Sequence, residues 1–235
     1  MSITSLFNSQ RARRYRLSGV DLEITDEIVS PDVRRALEQG WYEQAEIAQL
    51  HSILQPNEVV LEIGAGIGLV STVCAKDSRV KAVHAYEANP ALIDVIRRTL
   101  SLNQVDVTVH HAVLGKENGQ IPFYLHESFW ASSLLKWDGA KEVMVPMVSF
   151  QEALERIRPS LIVCDIEGGE LGLFDGIRLD GVRKILMELH QNVIGREGMR
   201  HVFQVLHDQC FHYDQWHSSY AVVLFSHVDR DKIVE

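Results

Sequence analysis

The chain has 235 residues, 46% of them hydrophobic and 23% charged, which is enough to bury the core of one larger α/β domain. With 32 acidic against 23 basic side chains its formal charge is −9, which works against a phosphate-binding surface and so against a nucleic-acid partner. The longest apolar runs, 161–164 and 221–225, are strand-sized and far below the roughly 20 residues that span a bilayer, so no membrane partner is expected.

Residues 1–20 contain Arg11, Arg13, Arg14 and Arg16 and no acid, and 1–30 is read as a basic arm ahead of a single domain over 31–235. The pattern over 31–54 predicts helix, broken at Gly40-Trp41-Tyr42. From there β-branched runs at 58–63, 81–86 and 107–111 alternate with helical spacing at 67–76 and at 90–100, where Pro90 suits a first turn. Runs at 121–125 and 142–148 bracket an inserted segment that holds Phe129, Trp130, Ser132, Ser133 and Trp137. Helical spacing returns at 150–156 and 197–209, around strands at 160–166 and 183–189. Segments 211–216 and 220–227 are expected to pair as a terminal antiparallel hairpin. Repeated strand–helix units with near-continuous apolar strands imply a mostly parallel sheet covered on both faces. Cys74, Cys164 and Cys210 are far apart, odd in number and set in apolar stretches, as buried thiols in a reducing cytoplasm would be.

The strand at 58–63 runs into Glu62-Ile63-Gly64-Ala65-Gly66-Ile67-Gly68, so glycines fall where the chain must turn tightly into a helix beside a ligand. A dinucleotide fingerprint starting at Gly64 needs glycine at position 69, where Leu69 stands. An acid at the strand end instead suits S-adenosylmethionine, whose cationic amino group and sulfonium Glu62 is expected to face. Glu87, in Tyr86-Glu87-Ala88-Asn89-Pro90, lies 21 residues beyond Gly66, the spacing at which an acid accepts hydrogen bonds from ribose hydroxyls. Ala112 and Val113, in His111-Ala112-Val113-Leu114-Gly115, are small and apolar where an adenine ring would lie, with ordinary core packing as the alternative.

These segments, with Ser132-Ser133-Leu134, Asp165-Ile166-Glu167-Gly168-Gly169-Glu170 and Glu188-Leu189-His190, resemble the FkbM family of S-adenosylmethionine-dependent methyltransferases over roughly residues 40–225. Gly66 and Ala88 depart from it, standing where the family commonly has asparagine and proline. The resemblance implies a Rossmann-like class I methyltransferase fold with seven strands and methylation of hydroxyls on sugars or polyketide-type products. It implies cofactor contacts from Glu62, Gly64, Ala65, Gly66, Gly68, Glu87, Ala88, Asn89, Ala112, Val113 and Asp165. It also sets Tyr42 and Glu43 beside the cofactor, with helix packing as the alternative.

Ligands of open α/β sheets lie outside the carboxyl ends of the strands, which gathers Glu62, Glu87, Asp165, Glu167 and His190 around one cleft. A hydroxyl acceptor must lose its proton, and His190 or Asp165 is expected to take it or to orient the acceptor, histidine being favoured by where it titrates. Asp165, Glu167, Glu188 and His190 are also hard-cation donors, but spacing alone fixes no shared coordination sphere and no metal is assigned. Trp130 and Trp137 are expected either to cover a small-molecule acceptor or to fill a satellite core. An NAD-linked oxidoreductase and a noncatalytic binding protein on the same fold are the alternatives, and a monomer and a homodimer are equally open.

Overall fold

The computed structural model describes residues 12–25, 28–126, 132–134, 136–137 and 139–231. In chain order these form β1 (Ala12–Leu17), β2 (Val20–Thr25), α1 (Pro31–Gln39), α2 (Gln44–Ile53), β3 (Glu58–Ile63), α3 (Leu69–Lys76), β4 (Val80–Glu87) and α4 (Pro90–Asn103). They continue as β5 (Thr108–His111), β6 (Val113–Gly115), β7 (Gly119–Leu125), β8 (Lys141–Ser149), α5 (Phe150–Ile157), β9 (Leu161–Cys164), β10 (Lys184–Glu188), α6 (Gln191–His207), β11 (Phe211–Ser219) and β12 (Val222–His227).

Seven strands form one sheet in the order β11-β12-β10-β9-β3-β4-β5. β3, β4, β5, β9 and β10 are parallel, while β12 is antiparallel to both β10 and β11. The predicted mostly parallel sheet with a terminal hairpin is therefore what forms. Successive strand residues serve opposite faces: Val60, Leu161, Val163, Leu186 and Leu224 join one core with α2 and α3, and Leu61, Ile162, Cys164, Ile185 and Phe225 join the other with α5 and α6. Both faces are apolar, hence the near-continuous apolar runs. The strand order reverses at β3, the chain stepping outward to β4 and β5 on one side and then returning to β9 on the other, which opens a crevice at the carboxyl ends of β3 and β9. Among the described residues no helix is long and apolar enough to cross a membrane.

Local chemistry sets the helix ends. Ser30 accepts from the Val33 amide ahead of Pro31, and left-handed Gly40 (φ +73) closes α1. Asn89 caps α4 the same way, ahead of Pro90. α6 starts at Gln191 and not at 197, because Gly195 (φ 69, ψ 177) breaks its regular turn and hides the first part from helical periodicity.

Three further expectations are corrected. Instead of a loose basic arm, residues 12–25 form the β1–β2 hairpin, with Leu17, Val20, Leu22 and Ile24 buried in the core shared with α3 and α4. Its arginines are paired on the surface, Arg14 with Glu23 at 3.1 Å and Arg16 with Asp21 at 3.4 Å. The expected small inserted β segment forms, as a separate three-stranded sheet β6-β8-β7, and the correction there is β6, which was not anticipated. Cys74 and Cys164 are buried as expected, but Cys210 is exposed.

Candidate active site

Gly64 leaves β3 at φ +87, and the amides of Gly64 and Ala65 both donate to the Tyr86 carbonyl, at 2.9 and 3.1 Å. A Cβ on Gly64 would lie 1.8 Å from the Asp165 carbonyl oxygen, so only glycine lets the ends of β3 and β9 close together. The loop then passes Gly66 and enters α3 at Gly68. At the end of β4 the Glu87 side chain reaches back across the loop: Oε2 accepts from the Gly66 amide at 2.8 Å and Oε1 from the Asn89 amide at 2.7 Å. Burial pushes the Glu87 carboxyl up to about 7, with these amides working in the opposite direction. Each carboxylate oxygen keeps a lone pair for a ligand.

Glu87 stands on the wall of a cleft of about 440 Å³. Gly64, Gly66, Ala88, Ala112, Val113 and Asp165 line the same cleft. Tyr42 and Glu43 form part of its wall from the start of α2, with the Tyr42 hydroxyl 3.0 Å from where a Cβ on Gly66 would be. Glu43 Oε2 and Asp165 Oδ1 are buried without a hydrogen-bond partner. Burial raises Glu43 and Asp165 well above the usual carboxylate range, and neighbouring carboxylates push the same way. Ile121, Phe123 and Met147 of the inserted sheet also line the cleft. No sequence signal identified those three, because the pairing of β7 with β8 that turns them inward is set by tertiary structure.

Other expected contacts lie behind the cleft wall. Glu62 does not line the cleft: it is buried, bonded to the Ser71 hydroxyl of α3, and raised to about 8 by burial and the Glu87 charge. It therefore braces the loop from within, behind the cleft wall it was expected to join. Ala65, Gly68 and Asn89 likewise shape the loop and the helix starts without lining the cleft.

A second chamber of about 330 Å³ shares Tyr42, Glu43, Asp165 and Glu167 with the first and extends to Glu46, Glu188 and Tyr220. His190 lies behind its carboxylates and lines neither chamber. Its Nδ1 is 2.8 Å from Glu170 Oε1, while Nε2 is 3.3 Å from Glu167 and 3.9 Å from both Asp165 and Glu188. Burial lowers the imidazole pKa, but the Glu170 hydrogen bond and the charges of Glu167 and Asp165 outweigh it and hold it near 9. A histidine so held is a poor proton acceptor at neutral pH, contrary to the preference drawn from its ordinary pKa. Burial, opposed by His190, raises Glu167 to about 7. Trp137 lines neither chamber and packs edge-on to Tyr124, 6.3 Å between ring centres, whereas Trp130 lies outside the described residues.

The sheet order and the glycine-loop cleft at its reversal define a Rossmann-like methyltransferase fold. Similar solved structures include Trm5b from Pyrococcus abyssi, with 16% identity, a TM-score of 0.51 and coverage of 92% of this chain and 55% of that one. Another is the M. jannaschii tRNA m1G37 methyltransferase, with 15% identity, a TM-score of 0.50 and coverage of 92% and 57%. The chain spans little more than half of either protein, and the likeness is one of fold. No curated protein matches the chain. The methyltransferase FkbM domain matches residues 62–218, and the chain belongs to that family of methyltransferases.

Proposed function

We propose that the chain uses S-adenosylmethionine to methylate a hydroxyl group of a small, sugar-like or natural-product-like molecule. The observation that carries this is Glu87, a carboxylate braced by the Gly66 amide at 2.8 Å on the wall of a cleft that also presents unpartnered oxygens of Glu43 and Asp165. That donor set suits the cofactor: Glu87 accepts from the ribose hydroxyls, Glu43 takes the cationic amino end, and Ala112 and Val113 flank the adenine. When bound, S-adenosylmethionine supplies a methyl group on a sulfonium already primed to leave.

The chain's own work is to position the acceptor and remove its proton. Asp165 and Glu167 border both chambers, so the acceptor hydroxyl lies within their reach and its proton passes to a carboxylate there. His190 acts as a positioning residue, holding Asp165 and Glu167 from behind. The carboxylate-lined second chamber repels phosphate, which favours a small acceptor over a nucleic acid, and Trp41 and Tyr220 offer it exposed aromatic faces.

Calorimetry and thermal melting test the cofactor: S-adenosylhomocysteine should bind and raise the melting temperature, and NADH should do neither. The reverse pattern would establish the oxidoreductase alternative. Incubation with methyl-labelled S-adenosylmethionine and a small-molecule extract should place the label on a hydroxyl oxygen, read by mass spectrometry. Asp165→Asn should lower turnover by roughly 10² to 10⁴, the size expected of one general base, whereas His190→Ala should lower it less and keep S-adenosylhomocysteine affinity.

A further inference from the structure

We infer that the side chains between the ends of β9 and β10 form a site for one divalent cation, Mg²⁺ or Mn²⁺, held by Asp165, Glu188 and the Nε2 atom of His190 and reached through the second chamber. One donor atom from each of the three lies within 4.8 Å of the others. Donors that share a cation at about 2.1 Å stand about 3.0 Å apart when adjacent and about 4.2 Å apart when opposite. His190 Nε2 is 3.9 Å from Asp165 Oδ1, 3.9 Å from Glu188 Oε1 and 3.3 Å from Glu167 Oε2, inside that range on every side.

Two observations separate this cluster from an ordinary acidic patch. Asp165 Oδ1, the oxygen turned toward Nε2, is buried with no hydrogen-bond partner. Behind the ring, Glu170 is wholly buried, aims Oε1 at His190 Nδ1 at 2.8 Å and leaves Oε2 without a partner. A buried carboxylate on the far nitrogen fixes the tautomer that presents Nε2 as a lone-pair donor, the arrangement that commonly supports a metal-binding histidine. No lysine or arginine is among the described residues lining the second chamber, so the cation nearest to Asp165, Glu167 and Glu188 there is His190, and a bound metal ion would take the place of the proton on its Nε2. Two carboxylates and one imidazole are the hard, mixed donor set that suits Mn²⁺ or Mg²⁺ over softer ions. The chamber leaves the remaining coordination positions open to water or to an acceptor oxygen. That last role, orienting the acceptor hydroxyl and making it more acidic, rests on the methyl-transfer function proposed above; the cation site itself does not.

The test is a titration of Mn²⁺, followed by the loss of its free-ion paramagnetic resonance signal, into the wild-type chain with and without S-adenosylhomocysteine. One ion per chain should bind. Glu188→Gln and His190→Ala should each weaken it by more than about tenfold, since losing even an outer-sphere partner costs about that much. Glu155→Gln, exposed on α5 beside Arg178, should bind Mn²⁺ as the wild type does. Circular dichroism melts of each variant confirm that it is folded, and Glu188→Asp gives a second perturbation that keeps the charge and displaces the donor. Absence of Mn²⁺ binding, or equal binding in wild type, Glu188→Gln and His190→Ala, overturns the site and leaves His190 as a cation paired with its carboxylates. S-adenosylhomocysteine affinity measured in the same samples keeps the two claims apart: its binding without Mn²⁺ binding sinks only the cation site, and the converse sinks only the cofactor assignment.

Discussion

Glu87 does two jobs, bracing the glycine loop and facing the cleft, and its protonation connects them. Its carboxyl sits near 7 in the ligand-free fold because burial disfavours the charge. A raised folded pKa means that its contribution to stability is fully present below the unfolded value and is lost as pH rises through about 7. The proposed cofactor binding has the opposite sign, because ribose hydroxyls would donate to the ionised form. S-adenosylhomocysteine affinity should therefore fall about tenfold per pH unit below 7, with proton release seen by calorimetry in buffers of different ionisation enthalpy. Glu87→Gln should bind more weakly and lose that slope. At Gly64 the constraint is steric: Gly64→Ala meets the Asp165 carbonyl oxygen at 1.8 Å on top of an unfavourable φ of +87, and should cost more than about 3 kcal/mol in a denaturant melt. The spacing of Gly64, Gly66 and Glu87 was legible in the sequence because the ligand loop is a local turn. The inward role of Glu62 was not, since nothing in the chain near it announces its bond to Ser71.

At the level of elements, the strands that feed the cleft were readable because their apolar runs are uninterrupted and bounded by glycines, acids and prolines. β1 and β2 were not, because Arg13, Arg14 and Arg16 dominate the composition of a hairpin whose other face carries Leu17, Val20, Leu22 and Ile24. β6 is three residues long, too short for any periodicity. Far from the cleft, Arg183 at the base of the sheet joins Glu58 ahead of the β3 core and Asp231 beyond β12, the latter at 2.6 Å, with Lys184 3.2 Å from Asp231. All four side chains are buried, so removing the central cation leaves Glu58 with no cation and Asp231 with Lys184 alone. Arg183→Ala should cost about 3–5 kcal/mol of stability by denaturant unfolding, with S-adenosylhomocysteine affinity unchanged in the fraction that remains folded. Trp137 packs on Tyr124 away from both chambers, so Trp137→Ala should soften the inserted sheet more than it changes acceptor use, as read by its effect on melting and on turnover.

For the molecule as a whole, the hairpin that replaces the expected arm is part of the core. Four buried aliphatic side chains contribute about 6–12 kcal/mol of burial, comparable to the whole stability of a domain. A chain lacking residues 1–27 should therefore fail to melt cooperatively by circular dichroism, whereas a dispensable arm would leave the transition intact. What the sequence could not convey at this scale is the meeting of distant pieces: Glu46 of α2 and Glu188 of β10 share a chamber although 142 positions separate them. The wall that divides the two chambers is Tyr42, Glu43, Asp165 and Glu167, and its first two residues, with left-handed Glu43 (φ 52) where α2 begins, lie upstream of the segment that carries the family signature. If the first chamber holds the methyl donor as proposed, any change at the start of α2 reaches both chambers at once, so donor grip and acceptor choice cannot drift independently there.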